Sequence, residues 1–172
     1  MRATHVTVAA LAAALLLTAC DDNGGDDGAA KKTGDACTLD SVGVDVTASA
    51  APAAGDTGNV TVTITNRGTK CTIKGFPAVD LYAGNVSTTV PTDKAATPGK
   101  LTLAKDATAS FTITYTRGET GGKKSLPVKT AKFALPDSTD VQSFKWSYGE
   151  VAVKGDGNEP NASVTPFTQA GD

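Results

Sequence analysis

The sequence predicts an all-β domain, an immunoglobulin-like two-sheet β-sandwich, and three observations lead there. Apolar and polar residues alternate with period two in several short runs. Turn-forming residues interrupt those runs at intervals of about ten residues, as in sandwich folds. No segment after the first twenty residues repeats apolar positions at helical spacing.

The clearest run is Val60-Thr61-Val62-Thr63-Ile64-Thr65, which puts branched apolar side chains on one face and hydroxyls on the other. Val42, Val44 and Val46 form a similar face upstream, and 51–58, rich in Ala, Pro, Gly and Asp, reads as the loop between them. Asn66-Arg67-Gly68 turns the chain into a run with Cys71 and Ile73. Phe76 to Tyr82 follows, where Pro77 cannot donate to a ladder and so marks a strand start or edge. Gly84-Asn85 is a hairpin turn. Ser87–Val90, Lys100–Leu103, Ala109–Arg117, Lys129–Leu135, Val141–Tyr148 and Val151–Val153 read as further strands, with a last one carrying Val164 and Phe167. Strand order is not readable from these patterns.

The first residues are of another kind. Arg2 and His5 precede the apolar stretch Val6–Leu17, which has the proportions of a signal peptide and falls short of the roughly 20 residues that span a bilayer. It ends in Leu17-Thr18-Ala19-Cys20, which resembles the lipobox of bacterial lipoproteins. That resemblance implies cleavage between Ala19 and Cys20 and a diacylglycerol on the Cys20 thiol. A second acyl group on the new amino end would make the anchor permanent, since one chain alone binds membranes marginally. The domain is then expected on the extracytoplasmic face of the cell membrane. The expected layout is residues 1–19 as cleaved leader, 20–36 as lipidated cysteine and flexible tether, 37–168 as the sandwich, and 169–172 as a disordered tail. The tether begins Asp21-Asp22-Asn23-Gly24-Gly25-Asp26-Asp27, with much charge and glycine and no apolar periodicity. Read as a calcium loop it lacks the closing acid, because the twelfth position falls on Lys32 or Thr33.

Two cysteines remain, Cys37 and Cys71, an even pair in a compartment where disulfides persist. They are expected to be joined, closing a loop of about 35 residues and contributing roughly 3 to 4 kcal/mol in the chain-entropy model. Free thiols or half of a soft-metal site are the rival readings. The chain's one histidine is His5 and its one methionine Met1, both in the leader, so no further soft ligand is at hand.

The pattern Asn66-x-Gly68-x-x-Cys71-x-x-x-Gly75-Phe76-Pro77-x-Val79-x-Leu81, preceded by Cys37, resembles the domain of unknown function 4232 found in actinobacterial lipoproteins. The likeness runs from Cys37 to about Phe167. It implies a β-sandwich with the two cysteines paired, and it brings no catalytic residue.

Charge and missing residues narrow the function classes. The formal net charge is −2, with no basic run to follow a phosphate backbone, so nucleic acid is not an expected partner. Without a histidine in the mature chain, neither a Ser-His-Asp nor a Cys-His arrangement can form. Asp80, Asp93, Asp106, Glu119, Asp137, Asp140 and Glu150 fall at or beside expected turns, and no pair stands out as a glycosidase couple. Gly118-Glu119-Thr120-Gly121-Gly122-Lys123-Lys124-Ser125 only superficially resembles a phosphate loop, since lysine occupies the position of its last glycine and Pro127 follows. No cofactor or metal is expected.

Two features could bind. Phe144, Trp146 and Tyr148 alternate, so one strand would set three rings on one face, as a platform for sugars or a partner, or more simply as core. The rows Thr61-Thr63-Thr65 and Thr112-Thr114-Thr116 form hydroxyl ladders that could meet water, glycan or ice, although threonine is also an ordinary exposed-strand residue. The sequons at Asn59, Asn85 and Asn161 read as accidental. The leading expectation is a non-enzymatic, lipid-anchored envelope module that contacts an envelope protein or wall polymer. A carboxylate-dependent hydrolase of wall glycan and a spacer without specific ligand are the alternatives, and oligomeric state is left open. Replacing Cys20 by alanine is expected to abolish acyl labelling and to release the protein or leave the precursor uncut. Continued acyl labelling of that variant would contradict the lipobox reading.

Overall fold

A computed structural model describes residues 35–155 and 159–169. The expected leader, the Ala19–Cys20 cleavage site and most of the expected tether lie outside the described residues. A 3-10 turn at Leu39–Ser41 precedes fourteen strands. They are β1 (Val42–Ser49), β2 (Thr57–Asn66), β3 (Cys71–Lys74), β4 (Ala78–Ala83), β5 (Val86–Thr89), β6 (Lys100–Leu103), β7 (Thr108–Thr116), β8 (Ser125–Leu126), β9 (Thr130–Ala134), β10 (Val141–Lys145), β11 (Val151–Lys154), β12 (Glu159–Pro160), β13 (Ala162–Val164) and β14 (Thr168–Gln169).

The alternation in β2 does what period two requires. Val60, Val62 and Ile64 leave water entirely, while Thr61, Thr63 and Thr65 keep partial exposure. β2 pairs antiparallel with β1 on one side and β7 on the other, so Val62 faces both Val46 and Phe111 across the ladder. The sheet runs β1-β2-β7-β13, with β14 also on β7. The second main sheet is antiparallel in the order β10-β9-β4-β5, with Val79 opposite Phe133 and Leu81 opposite Ala131. These orders correspond to the A-B-E and G-F-C-C′ sheets of immunoglobulin-like sandwiches. The pair β3-β6 and the trio β12-β11-β8 complete the described strands.

The two inner faces interlock through aromatic edges. Phe111 of the first sheet meets Phe133 of the second with ring centroids 5.3 Å apart, and Phe167 at 5.1 Å. Tyr115, also buried, donates its hydroxyl to Tyr148 O at 2.6 Å and accepts the Ala51 N–H at 3.3 Å. Glycine is required at position 58, because a Cβ there would lie 2.6 Å from the Tyr115 ring.

One polar side chain among the described residues is fully buried, that of Asn66. Its Nδ2 shares two hydrogens among the carbonyls of Thr69 (2.8 Å), Leu103 (3.0 Å) and Ala104 (3.2 Å), and its Oδ1 accepts the Gly68 N–H at 3.0 Å. Its backbone donates to Ala107 O and accepts from Asp106 N–H. One amide thus joins the end of β2, the turn into β3 and the β6–β7 connection.

Cys37 and Cys71 form a disulfide, with Cα atoms 5.0 Å apart and the two residues 34 positions apart in sequence. The Cys37 N–H donates to Thr72 O, and Ala36 bridges to Thr72, so the chain's entry is held against β3 by a covalent bond and a short ladder. The last residues assigned to the tether, Asp35 and Ala36, therefore already belong to the folded body. At the other end Gln169 pairs with Ala109, which extends the ordered body one residue past the expected boundary.

Asn66→Ala removes a partner from several buried backbone groups at once and should cost about 2 to 4 kcal/mol. Asn66→Asp should cost more, because it turns oxygens toward three carbonyls. Urea unfolding of the oxidised protein checks the order, and an aspartate variant as stable as wild type would contradict it.

Candidate functional site

Sheet order brings together side chains that are scattered in sequence. Because residues paired across a ladder point the same way, the outward side chains of β1, β2, β7, β13 and β14 line up in rows. One row is Thr47, Thr61 and Thr112, continued by Thr165, whose Oγ1 accepts the Thr112 N–H at 2.9 Å. The next is Ser49, Asn59, Thr114 and Ser163. On the other side lies Asp45, Thr63, Ser110 and Thr168. Every one of these side chains is half-buried or exposed.

The rows make a hydroxyl and amide lattice with strands about 4.8 Å apart and same-face residues about 6.8 Å apart along each strand. Each hydroxyl both donates and accepts. Two cross-strand bonds tie the centre, Thr61 to Thr112 at 3.1 Å and Thr114 to Asn59 Oδ1 at 2.8 Å. Asp45 is the sole charged residue in the three rows. At the corner beyond it the Arg67 side chain lies across Gly43, where any Cβ would collide with it. Such a face suits an uncharged, polyhydroxylated ligand, exchanging water hydroxyls for ligand hydroxyls one for one.

Sequence reading found two of these ladders, Thr61-Thr63-Thr65 and Thr112-Thr114-Thr116, as separate features. It missed that Thr61 and Thr112 are partners, and it missed the contributions of Thr47, Ser49, Asn59, Ser110 and Ser163. The period-two hydroxyls of 47–49 and 163–165 were the available signal. Their adjacency needed strand order.

The aromatic row takes the simpler of its two readings, core packing. β10 ends at Lys145, but the Trp146 N–H still donates to Lys129 O, and Phe144, Trp146 and Tyr148 turn inward while Lys145 and Ser147 stay exposed. Trp146 is 3 % exposed, its ring edge-on to Tyr115 at 5.1 Å and Tyr148 at 5.0 Å. Its indole N–H donates to Gly149 O at 2.8 Å, closing a tight turn in which Gly149 takes φ 93°. Phe144 and Tyr148 are half-buried and pack on the core. The rings are recruited inward because a core built largely of Val, Ala and Leu needs volume to fill it.

The glycine-rich segment 118–125 lines an open hollow of about 370 Å³ with Arg117, Lys124 and Ala152. Four of its amides are committed within the chain. Gly118 N–H donates to Glu150 O, Gly121 N–H to Glu150 Oε1, Gly122 N–H to Glu119 O and Ser125 N–H to Gly122 O. Arg117 is likewise spent on Ala51 O and Pro52 O. The three glycines of the segment thus turn their N–H groups to the chain itself, unlike those of a phosphate loop.

The acidic residues are placed singly. Asp80 accepts from Thr89 Oγ1 at 2.6 Å, Asp93 caps Ala95 N–H, and Asp106 and Asp137 occupy left-handed turn positions. Among the described residues no three His, Cys, Asp or Glu side chains gather to hold a metal ion.

The residues quoted for the family likeness now have structural jobs. Asn66 and Gly68 build the buried amide knot, Cys71 holds Cys37, and Gly75 takes φ 120°, a value that favours glycine. Pro77 is buried directly before β4, and Gly75 O accepts the Phe167 N–H at 3.3 Å. A family model described as Domain of unknown function (DUF4232) matches residues 37–168. The chain belongs to this DUF4232 family. No curated protein matches it. The family motif is thus a signature of scaffold, and the three hydroxyl-bearing rows lie outside it.

Trp146 is the chain's one tryptophan, so its fluorescence reports on this geometry. Native emission should be blue-shifted and poorly quenched by acrylamide, becoming fully quenchable on unfolding. Native quenching equal to that of the unfolded chain would restore the exposed aromatic row.

Proposed function

We propose that the chain is a secreted lipoprotein, tied by lipid on Cys20 to the outer face of a membrane, and that it acts as a non-catalytic module binding a neutral polyhydroxylated wall polymer. The observation that carries the binding part is the hydroxyl lattice on the β1-β2-β7-β13 sheet. A sandwich requires only that its outer face be polar. This one places a single acid in three rows of Thr, Ser and Asn, so its selectivity runs against charged polymers and toward sugar hydroxyls. Each exchanged hydrogen bond contributes little, so affinity comes from many contacts along an extended chain, with water retained at the interface.

The address rests on Leu17-Thr18-Ala19-Cys20 following a short apolar run, and on the polar stretch after Cys20. Among the described residues no helix is long and apolar enough to cross a membrane. Lipid at one end and a broad polar face on the domain would hold the polymer close to the membrane without consuming it.

Co-sedimentation of the Cys20→Ala chain with purified neutral wall polysaccharide tests the proposal. Saturable binding is expected, little changed between low and high salt because no counterions are released. The double variant Ser110→Glu/Ser163→Glu, at two positions of the face that are not paired with each other, should weaken it at least tenfold while changing the unfolding free energy by less than about 1 kcal/mol. Binding that is lost in salt, or that survives the double variant, would contradict the assigned face.

A further inference from the structure

β1 is the open edge of the hydroxyl-bearing sheet, and its backbone polarity is fixed by two hydrogen bonds. Arg67 N–H donates to Ser41 O at 2.8 Å, one register step beyond the Val42–Asn66 pair. Asn66 turns its own N–H the other way, to Ala107 of the β7 side. Antiparallel ladders alternate, so Gly43, Asp45, Thr47 and Ser49 are the residues bonded to β2. The N–H and C=O groups of Val42, Val44, Val46 and Ala48 therefore point away from the sheet, toward solvent.

The other edges of the two main sheets are guarded. Pro166 divides the opposite edge of this sheet into β13 and β14, of three and two residues. β10 has five residues and ends in Lys145, and β5 has four. β1 has eight residues in unbroken register with β2, with no proline, lysine or bulge. Its inward valines, Val42, Val44 and Val46, are only half-buried. An edge that is long, regular and apolar on one side is a template for another strand.

We propose that β1 pairs antiparallel with β1 of a second copy of this chain, about a two-fold axis through Val46. Charge and side-chain parity select this register. An axis through Asp45 would set two carboxylates directly opposite each other, and an axis between residues would set valines against hydroxyls. Axes through Val44 or Thr47 would leave three of the eight residues unpaired and an axis through Ala48 five, against one for Val46. With the axis through Val46, that residue meets its own counterpart and Val44 meets Ala48 of the second copy, all through the outward-pointing backbone groups. Asp45 falls beside Thr47 of the second copy, on the solvent face. The half-buried valines gain cover, and the two hydroxyl faces become one continuous sheet surface. The pairing stands independently of the polymer reading; if both hold, one assembly presents two copies of the binding face and gains by effective concentration.

Sedimentation of the full chain carrying Cys20→Ala, from micromolar to millimolar concentration, should show reversible dimerisation. Ala48→Pro removes an outward N–H that the fold does not use and should leave monomer throughout, with an unchanged unfolding midpoint. If that variant fails to fold, Ala48→Lys serves instead. Register is read by oxidising a mixture of Asp45→Cys and Thr47→Cys chains. That close, non-bonded pair is within disulfide reach, and crosslinked dimer should form in the mixture at least tenfold faster than in either variant alone. A wild-type monomer at every concentration, a dimer indifferent to both Ala48 variants, or equal crosslinking in the single-variant samples would overturn the proposal.

Discussion

The side-chain amide of Asn66 is the constraint on which the rest of this sandwich depends. Buried polar groups are tolerated only when satisfied, and Asn66 is satisfied on both sides of its amide. The knot fixes where β2 ends and where β7 begins, because its backbone also exchanges bonds with Asp106 and Ala107. That sets the β2–β7 register, and a slip of one residue there would set Thr61 opposite Phe111 or Ile113 in place of Thr112, mixing hydroxyl and apolar side chains on both faces. The hydroxyl lattice exists because this register is held.

The division of labour follows from volume and polarity. This chain has few aromatic rings, and the interior claims most of them, leaving Trp146 in the core with its indole N–H closed on Gly149. What faces water is the polar half of each alternation. The disulfide sits at the point where the chain enters the domain, tying Cys37 to β3. Force applied to the chain ahead of Cys37 would meet a covalent bond before it met the β1–β2 ladder. Family membership in DUF4232 fits the same division, since the residues shared with the family pattern build corners and clasps.

Much of the fold was legible because period two is a strong signal wherever one face is buried. Val60 to Thr65 and Lys100 to Leu103 fall where their patterns put them. Short elements escaped because two or three residues carry no period: β8, β12 and β14 are recognisable only by their partners. The run Val141–Tyr148 keeps its alternation to the end, with Phe144, Trp146 and Tyr148 inward, although the regular strand stops at Lys145 and the chain then closes a turn at Gly149. For the candidate site, threonine ladders were visible one strand at a time. That they form a surface depends on β1, β2, β7 and β13 being neighbours, a long-range fact that no local pattern encodes.

The central claim, that the neutral hydroxyl face is the working surface, is most directly tested by NMR of threonine, valine and leucine methyl groups in the presence of neutral wall polysaccharide. Saturating polymer should shift the methyl signals of Thr47, Thr61, Thr63 and Thr112 while those of Val79, Leu81 and Val128 stay in place. Shifts concentrated instead around Thr120 and the hollow beside Arg117 and Lys124, or no shifts at saturating polymer, would contradict it.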